Sequence, residues 1–250
     1  MTLCTQLIRF CLLGLLGVSG LALAEGGHHW GYEGEGGPAA WASLDPEFSA
    51  CKLGHLQSPI DIRDAKVADL PAIRFEYRPS PLKIVDNGHT IQVNYAPGSA
   101  IEVGGTRYEL IQFHFHRPSE EKINGRAHAM VAHLVHRDAA GKLAVVAVLL
   151  DKGGASELID TLWKNIPKEK EKEAAPDATV DAATLLPAER GYYAFQGSLT
   201  TPPCSEEVRW LVLKRPVRIA DKEITAFGKL YPMNARPTQP LHGRLIETTR

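Results

Sequence analysis

Histidines at alternating positions form the most informative pattern in the sequence. The stretch 112–116 (QFHFH) places Gln112, His114 and His116 on one face of a strand and two phenylalanines on the other. Imidazoles about 7 Å apart along a strand can share a metal ion when a neighbouring strand supplies a third ligand. His133, in the stretch 132–136 (AHLVH), is our candidate for that ligand. Three neutral imidazoles leave a fourth zinc position open for water, which is the catalytic arrangement.

Spacing alone leaves the third ligand open, because two other histidines lie nearby. His128 follows a turn-like Asn-Gly-Arg segment (124–126), and His136 lies on the opposite face of its strand from His133. A single strand histidine is more often a satisfied core residue than a ligand. We therefore predict a metal site on His114, His116 and His133, and a structural role for His136.

The first 24 residues differ from the rest of the chain. Arg9 precedes an apolar run over 10–23, which ends in Ala-Leu-Ala (22–24) before Glu25. Such a run is too short to span a bilayer comfortably and is typical of a secretory signal peptide. The sequence predicts cleavage after Ala24, one mature domain over 25–250 and no membrane span in it; an N-terminal membrane anchor is the alternative.

The cysteines fit a secreted protein. Cys4 and Cys11 fall within the predicted signal peptide, so the mature chain keeps Cys51 and Cys204. Two cysteines in an oxidising compartment are expected to pair, and the alternative is two free buried thiols.

Composition restricts the class of partner. Apolar residues make up 44% and charged residues 23% of the 250 residues, as in an ordinary globular domain. The 28 basic and 29 acidic residues nearly cancel, so no field favours nucleic acid or an anionic membrane surface. We expect a small molecule as the substrate.

Short strands broken by turns dominate the chain after residue 60. An Asp-Asn-Gly turn (86–88) between apolar stretches predicts a hairpin. Further strands are predicted at 100–103, 107–115, 129–136, 143–150, 211–213 and 217–219. The best helix candidate runs over 156–165, with Ser156 as its N-cap and Pro167 after it. Residues 25–50 are expected to form an ordered arm, and the charged stretch 168–183 a solvated excursion.

Several motifs, in order along the chain, resemble the α-class carbonic anhydrases. They are HHWGY (28–32), QSPIDI (57–62), NGH (87–89), QFHFH (112–116), Ser119-Glu120, AHLVH (132–136), GSLTTPP (197–203) and NARP (234–237). The resemblance covers about 28–242 and is nearest to the bacterial secreted branch. It implies a β-rich α+β single domain, with a central twisted, mostly antiparallel sheet and a few short peripheral helices. It also implies a periplasmic location and a homodimer.

The resemblance further implies reversible hydration of carbon dioxide to bicarbonate by a zinc-bound hydroxide. Glu120 and Thr200 match the pair that orients the hydroxide, and His89 matches the residue that carries the proton away. Other positions match substrate contacts (Val135, Val145, Leu199, Thr201, Trp210), groups that orient the zinc ligands (Gln112 and the Asn234 backbone) and the polar lining that orders water (Tyr32, Asn87, Gln92). Cis peptides are implied at Ser58–Pro59 and Pro202–Pro203.

One departure from the family pattern concerns His133. The family usually has a glutamate two residues before this histidine, where this chain has Val131, and often a histidine where this chain has Glu121. Val131 cannot accept the second N–H of His133, and a buried imidazole N–H without an acceptor costs about 1–3 kcal/mol. We therefore predict that Glu121 accepts this N–H; a backbone carbonyl or water is the alternative.

Two other functions are compatible with these motifs. One is a catalytically silent binding module of the same fold, although such a module is expected to have lost a zinc histidine. The other is a zinc hydrolase acting on activated esters, although the sequence shows no dedicated acyl pocket.

Overall fold

The structure is a computed structural model that describes residues 29–250. The predicted signal peptide, with Cys4 and Cys11, lies outside the described residues. The α-helices of the described chain are α1 (Trp41–Leu44), α2 (Ala50–Leu53), α3 (Glu157–Lys164) and α4 (Asp221–Leu230), and short 3-10 helices cover Gly34–Gly36, Pro46–Phe48 and Ala182–Leu185. Among the described residues, no helix is both long and apolar enough to cross a membrane.

Strands make up most of the regular secondary structure in the described chain. They are β1 (Asp61–Ile62), β2 (Lys66–Val67), β3 (Arg74–Glu76), β4 (Ser80–Pro81), β5 (Lys83–Asp86), β6 (Ile91–Asn94), β7 (Ala100–Val103), β8 (Thr106–His116), β9 (Lys122–Ile123), β10 (Arg126–Ala127), β11 (Met130–Arg137), β12 (Leu143–Lys152), β13 (Glu173–Ala174), β14 (Thr179–Val180), β15 (Tyr192–Gly197), β16 (Val208–Leu213), β17 (Val217–Ile219) and β18 (Glu247–Thr248).

One large mixed sheet organises the molecule. Its strand order is β13-β5-β6-β8-β11-β12-β16-β15-β18-β2, with β17 beside β12, β7 beside β8 and β3 beside β7. The pairs β12–β16, β12–β17 and β18–β2 are parallel, and the other pairs in this sheet are antiparallel. The predicted fold class, a β-rich single domain with a mostly antiparallel central sheet and short helices, is confirmed.

The long central strand β12 is apolar on both faces. On β12, Val146 and Val148 belong to the main core cluster, whereas Val145, Ala147 and Leu149 belong to a smaller cluster on the opposite face. Strands buried on both faces read as continuous apolar runs, as 143–150 does. We call the side of the smaller cluster the cleft face, because the three candidate metal ligands project there.

Helix α3 begins where the sequence predicts. The Ser156 hydroxyl accepts a hydrogen bond from the Ile159 N–H at 3.3 Å, as an N-cap side chain does. Helix α4 was not predicted, because its N-cap position holds Ala220, which offers no side-chain acceptor. Its first turn is held instead by Glu223, whose carboxylate accepts the Ala220 N–H at 2.6 Å.

The N-terminal arm forms a third apolar cluster around the buried Trp41. The predicted disulfide between Cys51 and Cys204 is present, with an S–S distance of 2.05 Å. Both peptides predicted to be cis are cis, as is a third, Arg117–Pro118.

The stretch 168–183 is more ordered than the sequence indicated. Its charged side chains are exposed, as expected for a solvated segment. Residues 173–174, however, join the edge of the main sheet as β13, paired with β5, and Val180 and Ala182 are buried in the core. Charge alternation predicts solvation of side chains and leaves the backbone free to pair at a sheet edge.

Candidate functional site

The three predicted ligands come together on the cleft face. His114 and His116 project from β8, and antiparallel pairing with β11 puts His133 directly opposite His114. The candidate ligand atoms of the three side chains lie within 4.8 Å of one another. Pairing of two adjacent central strands thus brings together His116 and His133, which are 17 positions apart in the sequence.

Each imidazole uses one nitrogen for a protein acceptor and leaves the other free. The Nδ1 of His114 donates to Gln112 Oε1 at 2.8 Å, and the Nδ1 of His116 donates to the Asn234 carbonyl at 2.7 Å. The Nε2 of His133 donates to Glu121 at 3.0 Å. The free nitrogens are therefore Nε2, Nε2 and Nδ1, respectively. Neutral imidazoles with one nitrogen anchored in this way are the usual form of metal-ligating histidine.

The donor set fits a zinc ion. The Nε2 of His116 is buried and has no hydrogen-bond partner among the described residues. An orphaned buried nitrogen is costly unless a ligand occupies it. Burial lowers the pKa of His114 to about 3 and takes the pKa of His116 well below its usual value, so both rings stay neutral and can bind metal.

Glu121 lies where the departure at Val131 predicts. Its two oxygens are 3.0 and 3.2 Å from the Nε2 of His133, and its side chain is fully buried. Burial by itself would lower the pKa of His133, but Glu121, by charge and hydrogen bond, and Glu120, by charge, raise it. Val131 packs with Ile60 and Ile62 in the apolar cluster of the cleft face.

The other two histidines considered have separate partners. The Nδ1 of His128 contacts Asp151 at 2.9 Å. His136 is buried on the core side, where its Nδ1 donates to the Ala144 carbonyl and its Nε2 accepts the Tyr77 hydroxyl at 2.8 Å. Neither belongs to the three-histidine cluster.

Glu120 lies directly beside the cluster. Its Oε1 accepts the Arg236 backbone N–H at 2.8 Å. Its Oε2 lies 3.5 Å from the Nε2 of His116 and 3.8 Å from the Nδ1 of His133. Burial raises the pKa of Glu120 to about 7, opposed by His133, the Arg236 N–H and the hydroxyl of the neighbouring Thr200.

The loop that carries Thr200 is fixed by backbone and side-chain hydrogen bonds. The Leu199 N–H donates to the Ser205 carbonyl at 2.9 Å, and the Cys204 N–H donates to the Thr201 carbonyl at 2.9 Å. The Trp210 indole N–H donates to the Ser198 carbonyl at 3.0 Å, which ties the loop to strand β16.

The four apolar residues among the five matched to substrate contacts lie in one cluster. Val135 on β11 is opposite Val145 on β12, which is opposite Trp210 on β16. Leu199 packs against the same cluster. The Trp210 ring lies 4.9 Å from the His133 ring, centroid to centroid, so this apolar wall adjoins the metal ligands.

His89 sits at a separate position, half-buried and stacked on the N-terminal arm. Its ring lies parallel to Trp30 at 3.6 Å between centroids and 5.4 Å from His29. Burial, followed by the nearby His29, lowers the pKa of His89. Tyr32, on the same arm, has a buried hydroxyl without a partner among the described residues.

The remaining polar positions form the wall beside His89. Asn87 Oδ1 accepts a hydrogen bond from the backbone N–H of His89 at 3.0 Å, and Asn87 Nδ2 donates to Gln92 Oε1 at 3.4 Å. Asn234 Nδ2 donates to the His89 carbonyl at 3.0 Å, so the residue that anchors His116 also holds the His89 backbone.

Sequence reasoning missed several residues around the site. Trp30 stacks on the His89 ring, although the motif 28–32 predicted no such contact. Asn94 continues the polar wall by accepting a hydrogen bond from Gln92. The buried guanidinium of Arg236 donates to Gln57, to the Ser58 carbonyl and to the Cys51 carbonyl. The motif 234–237 pointed toward Arg236, but its partners are at least 178 residues away in sequence.

Comparisons with known proteins agree with the site. A family model described as eukaryotic-type carbonic anhydrase matches residues 36–250. A carbonic anhydrase of Pectobacterium carotovorum is 42% identical over 233 residues, which cover 93% of this chain and 96% of the relative.

Solved structures give the same result. A hyperthermostable carbonic anhydrase identified from an active hydrothermal vent chimney superimposes with a TM-score of 0.86 at 43% identity, covering 89% of this chain and 100% of that chain. The α-carbonic anhydrase of Thermovibrio ammonificans, solved with the inhibitor sulfanilamide, gives a TM-score of 0.85 at 42% identity, with 89% and 100% covered.

Proposed function

Because the chain belongs to the eukaryotic-type carbonic anhydrase family, it catalyses the reversible hydration of carbon dioxide, and we propose how its residues do so. The metal is zinc, held by His114, His116 and His133. The observation that carries this assignment is the hydrogen bonding of the three rings. Each ring has one nitrogen committed to a protein acceptor and the other nitrogen in the cluster.

Zinc bound there would lower the pKa of a coordinated water to near 7, so that a nucleophile exists at neutral pH. Glu120 and Thr200 orient that nucleophile. One oxygen of Glu120 is occupied by the Arg236 N–H. A zinc ion held beside this carboxylate would favour its ionised form, which can only accept hydrogen bonds. The Thr200 proton is therefore donated to Glu120, which leaves the Thr200 oxygen as an acceptor toward the cleft.

The apolar wall binds the substrate. Carbon dioxide has no charge and no permanent dipole, so a surface formed by Val135, Val145, Leu199 and Trp210 accommodates it without unmet hydrogen bonds. Bicarbonate carries a charge and is less favoured there, which assists its release. Thr201 offers a polar contact to the product at the edge of this wall.

His89 removes the proton. The ordinary pKa of an imidazole is close to neutral, so this side chain can accept a proton from the site and pass it to buffer. Tyr32, Asn87 and Gln92 line the path with groups that can order water. His89 is half-buried, so part of the residue remains in contact with solvent.

We also propose that the protein is exported, in line with a periplasmic location, and forms a homodimer. The signal-like first 24 residues and the disulfide support export, since such bonds persist in oxidising compartments. Cell fractionation tests the location, and light scattering tests the oligomeric state.

The experiment that tests the proposed function joins metal analysis to two assays. Purified protein should contain one zinc per chain and hydrate carbon dioxide; dipicolinate should remove both zinc and activity, and added zinc should restore them. Cleavage of an activated ester should be slow and should be lost with the same dose of chelator. Full hydration activity in zinc-free protein would contradict the proposal, and ester cleavage without carbon dioxide hydration would favour the hydrolase.

A further inference from the structure

The charged segment 170–174 is attached to the strand and turn that carry His89. The Glu171 N–H donates to the Asp86 carbonyl at 2.6 Å, and β13 (Glu173–Ala174) extends the sheet beside β5. Lys170 places its ammonium 5.8 Å from the centre of the Tyr231 ring. Tyr231 in turn donates its hydroxyl to the Asp86 carboxylate. The segment is therefore held against this part of the cleft by contacts at both of its ends.

A ladder of side-chain amides runs from the segment to His89. Asn94 Nδ2 donates to Glu173 Oε2 at 2.6 Å, Gln92 Nε2 donates to Asn94 Oδ1 at 2.7 Å, and Asn87 follows. A carboxylate only accepts hydrogen bonds, so Glu173 fixes the direction of every amide in the ladder. The last oxygen of the ladder, Asn87 Oδ1, accepts a hydrogen bond from the backbone N–H of His89.

This ladder follows the cleft wall. Gln92 is paired across the strands with His114, and Asn94 is paired with Gln112, the acceptor of the His114 ring. The polar side chains of β6 thus lie beside the metal ligands at one end and contact the charged segment at the other.

The carboxylate of Glu171 lies next to the turn that carries His89. An Oε1 of Glu171 comes within 3.9 Å of the position that a side-chain carbon on Gly88 would occupy. Glu171 adopts a left-handed backbone conformation, with φ of 62°, which directs the chain back over the turn. Lys170 is the adjacent residue on the same segment.

We propose that segment 170–174 is a wall of the catalytic cleft and that Glu171 and Lys170 are positioning residues for proton transfer, acting through the field they create at the His89 ring. This inference rests on the proposed role of His89 as the group that removes the proton. Glu171 stabilises the protonated ring, and Lys170 disfavours it. The proton itself passes from the site to His89 and then to a buffer base, with no other bond made or broken.

The charged groups around His89 are consistent with these opposite effects of Glu171 and Lys170 on the protonated ring. After burial and His29, which both lower the pKa of His89, Glu171 raises it and Lys170 lowers it. The Asp86 carboxylate is occupied by the Gly88 N–H and the Tyr231 hydroxyl. Glu171 and Lys170 are exposed, so solvent weakens their fields. Unit charges about 7–10 Å apart in water shift a pKa by about 0.3–0.5.

The test is an NMR titration of the His89 ring in the zinc-loaded enzyme at low ionic strength. Glu171→Gln should lower the pKa of His89 by about 0.3–0.5, and Lys170→Gln should raise it by a similar amount. Glu169→Gln is the matched control, because Glu169 pairs with Lys172 and lies outside the segment. It should leave the His89 titration unchanged. Salt at 0.5 M should shrink both shifts by screening.

Shifts of the same sign in Glu171→Gln and Lys170→Gln, or shifts no larger than in Glu169→Gln, would overturn the inference. Kinetic measurements distinguish a failure of this inference from a failure of the proposed function. In weak buffer, Glu171→Gln should lower maximal hydration turnover about twofold, and added imidazole should restore it. His89→Ala should lower turnover more strongly; if it does not, His89 is not the proton carrier, whatever the NMR shifts show.

Discussion

A zinc-binding imidazole must donate its second N–H to an acceptor, and the three rings here use three different acceptors. His114 uses a side-chain amide, His116 a backbone carbonyl and His133 the Glu121 carboxylate. A carboxylate increases the electron density of the ring more than a neutral acceptor does. Glu121 therefore makes His133 the most basic of the three donors and is the acceptor whose loss should matter most for zinc affinity.

Substitutions at Glu121 and Val131 test this effect on zinc affinity directly. Glu121→Ala removes the acceptor and should weaken zinc binding about 10–100-fold, whereas Glu121→Gln should weaken it less because the amide oxygen still accepts. Val131→Glu alone would bury a second carboxylate near Glu121 and should destabilise the protein. The double variant Glu121→His, Val131→Glu should recover much of the zinc affinity. Chelator competition measures the affinity of each variant.

A matched control for these variants is Glu157→Gln, on the exposed surface of α3. It should leave zinc affinity unchanged. If Glu121→Ala binds zinc as tightly as the parent does, the carboxylate is a structural group with no influence on the metal.

The residue pattern predicted the three-histidine cluster because the cluster depends on local strand geometry. Alternation on one strand put His114 and His116 on one face, and strand facing separated His133 from His136. The missing acceptor for His133 was identified differently, from the departures at Val131 and Glu121 from the family pattern. Sequence reasoning could not locate Arg236, whose role depends on partners that only the fold brings together.

At the scale of elements, a continuous apolar run predicts a strand that is buried on both faces. The start of a helix can be predicted only where the N-cap residue itself supplies the acceptor. Helix α3 has Ser156 at its N-cap, a signal that can be read locally. Helix α4 starts after Ala220, and its cap is the Glu223 side chain three residues further on. That carboxylate also accepts the Ser156 N–H at 3.1 Å, so one buried side chain joins the starts of both helices.

This shared cap predicts a large effect of a single substitution. Glu223→Ala should lower the free energy of unfolding by about 2–4 kcal/mol, because two N–H groups lose a charged acceptor in a buried position. Glu157→Ala, in the exposed first turn of α3, removes the same charge without such partners and should cost less than about 1 kcal/mol. Denaturant unfolding of the zinc-loaded proteins measures both. Equal effects of the two variants would contradict the shared cap.

At the scale of the whole molecule, the site is assembled from both ends of the sequence. The carbonyl that anchors His116 belongs to Asn234, 118 residues later, and the disulfide joins positions 153 residues apart. Local propensity carries no information about such pairs. The resemblance to a known family indicated the Asn234 contact, and the count of cysteines outside the predicted signal peptide indicated the disulfide. The charged stretch 168–183 shows the converse: its composition predicted exposure, but its backbone pairing depended on a free sheet edge.

The disulfide should contribute stability to the whole molecule rather than metal affinity. Cys51 and Cys204 close a loop of 153 residues, and the chain-entropy model assigns such a loop about 5 kcal/mol. Cys51→Ala with Cys204→Ala should therefore lower Tm by about 10–20 °C for a domain of this size. Zinc content should stay at one per chain, because the ligands lie on the central strands β8 and β11. Calorimetry with and without a reductant measures the effect: the parent should lose stability on reduction, while the double variant should not respond. A parent whose Tm is unchanged after reduction verified by mass spectrometry would show that packing around Trp41 alone holds the arm.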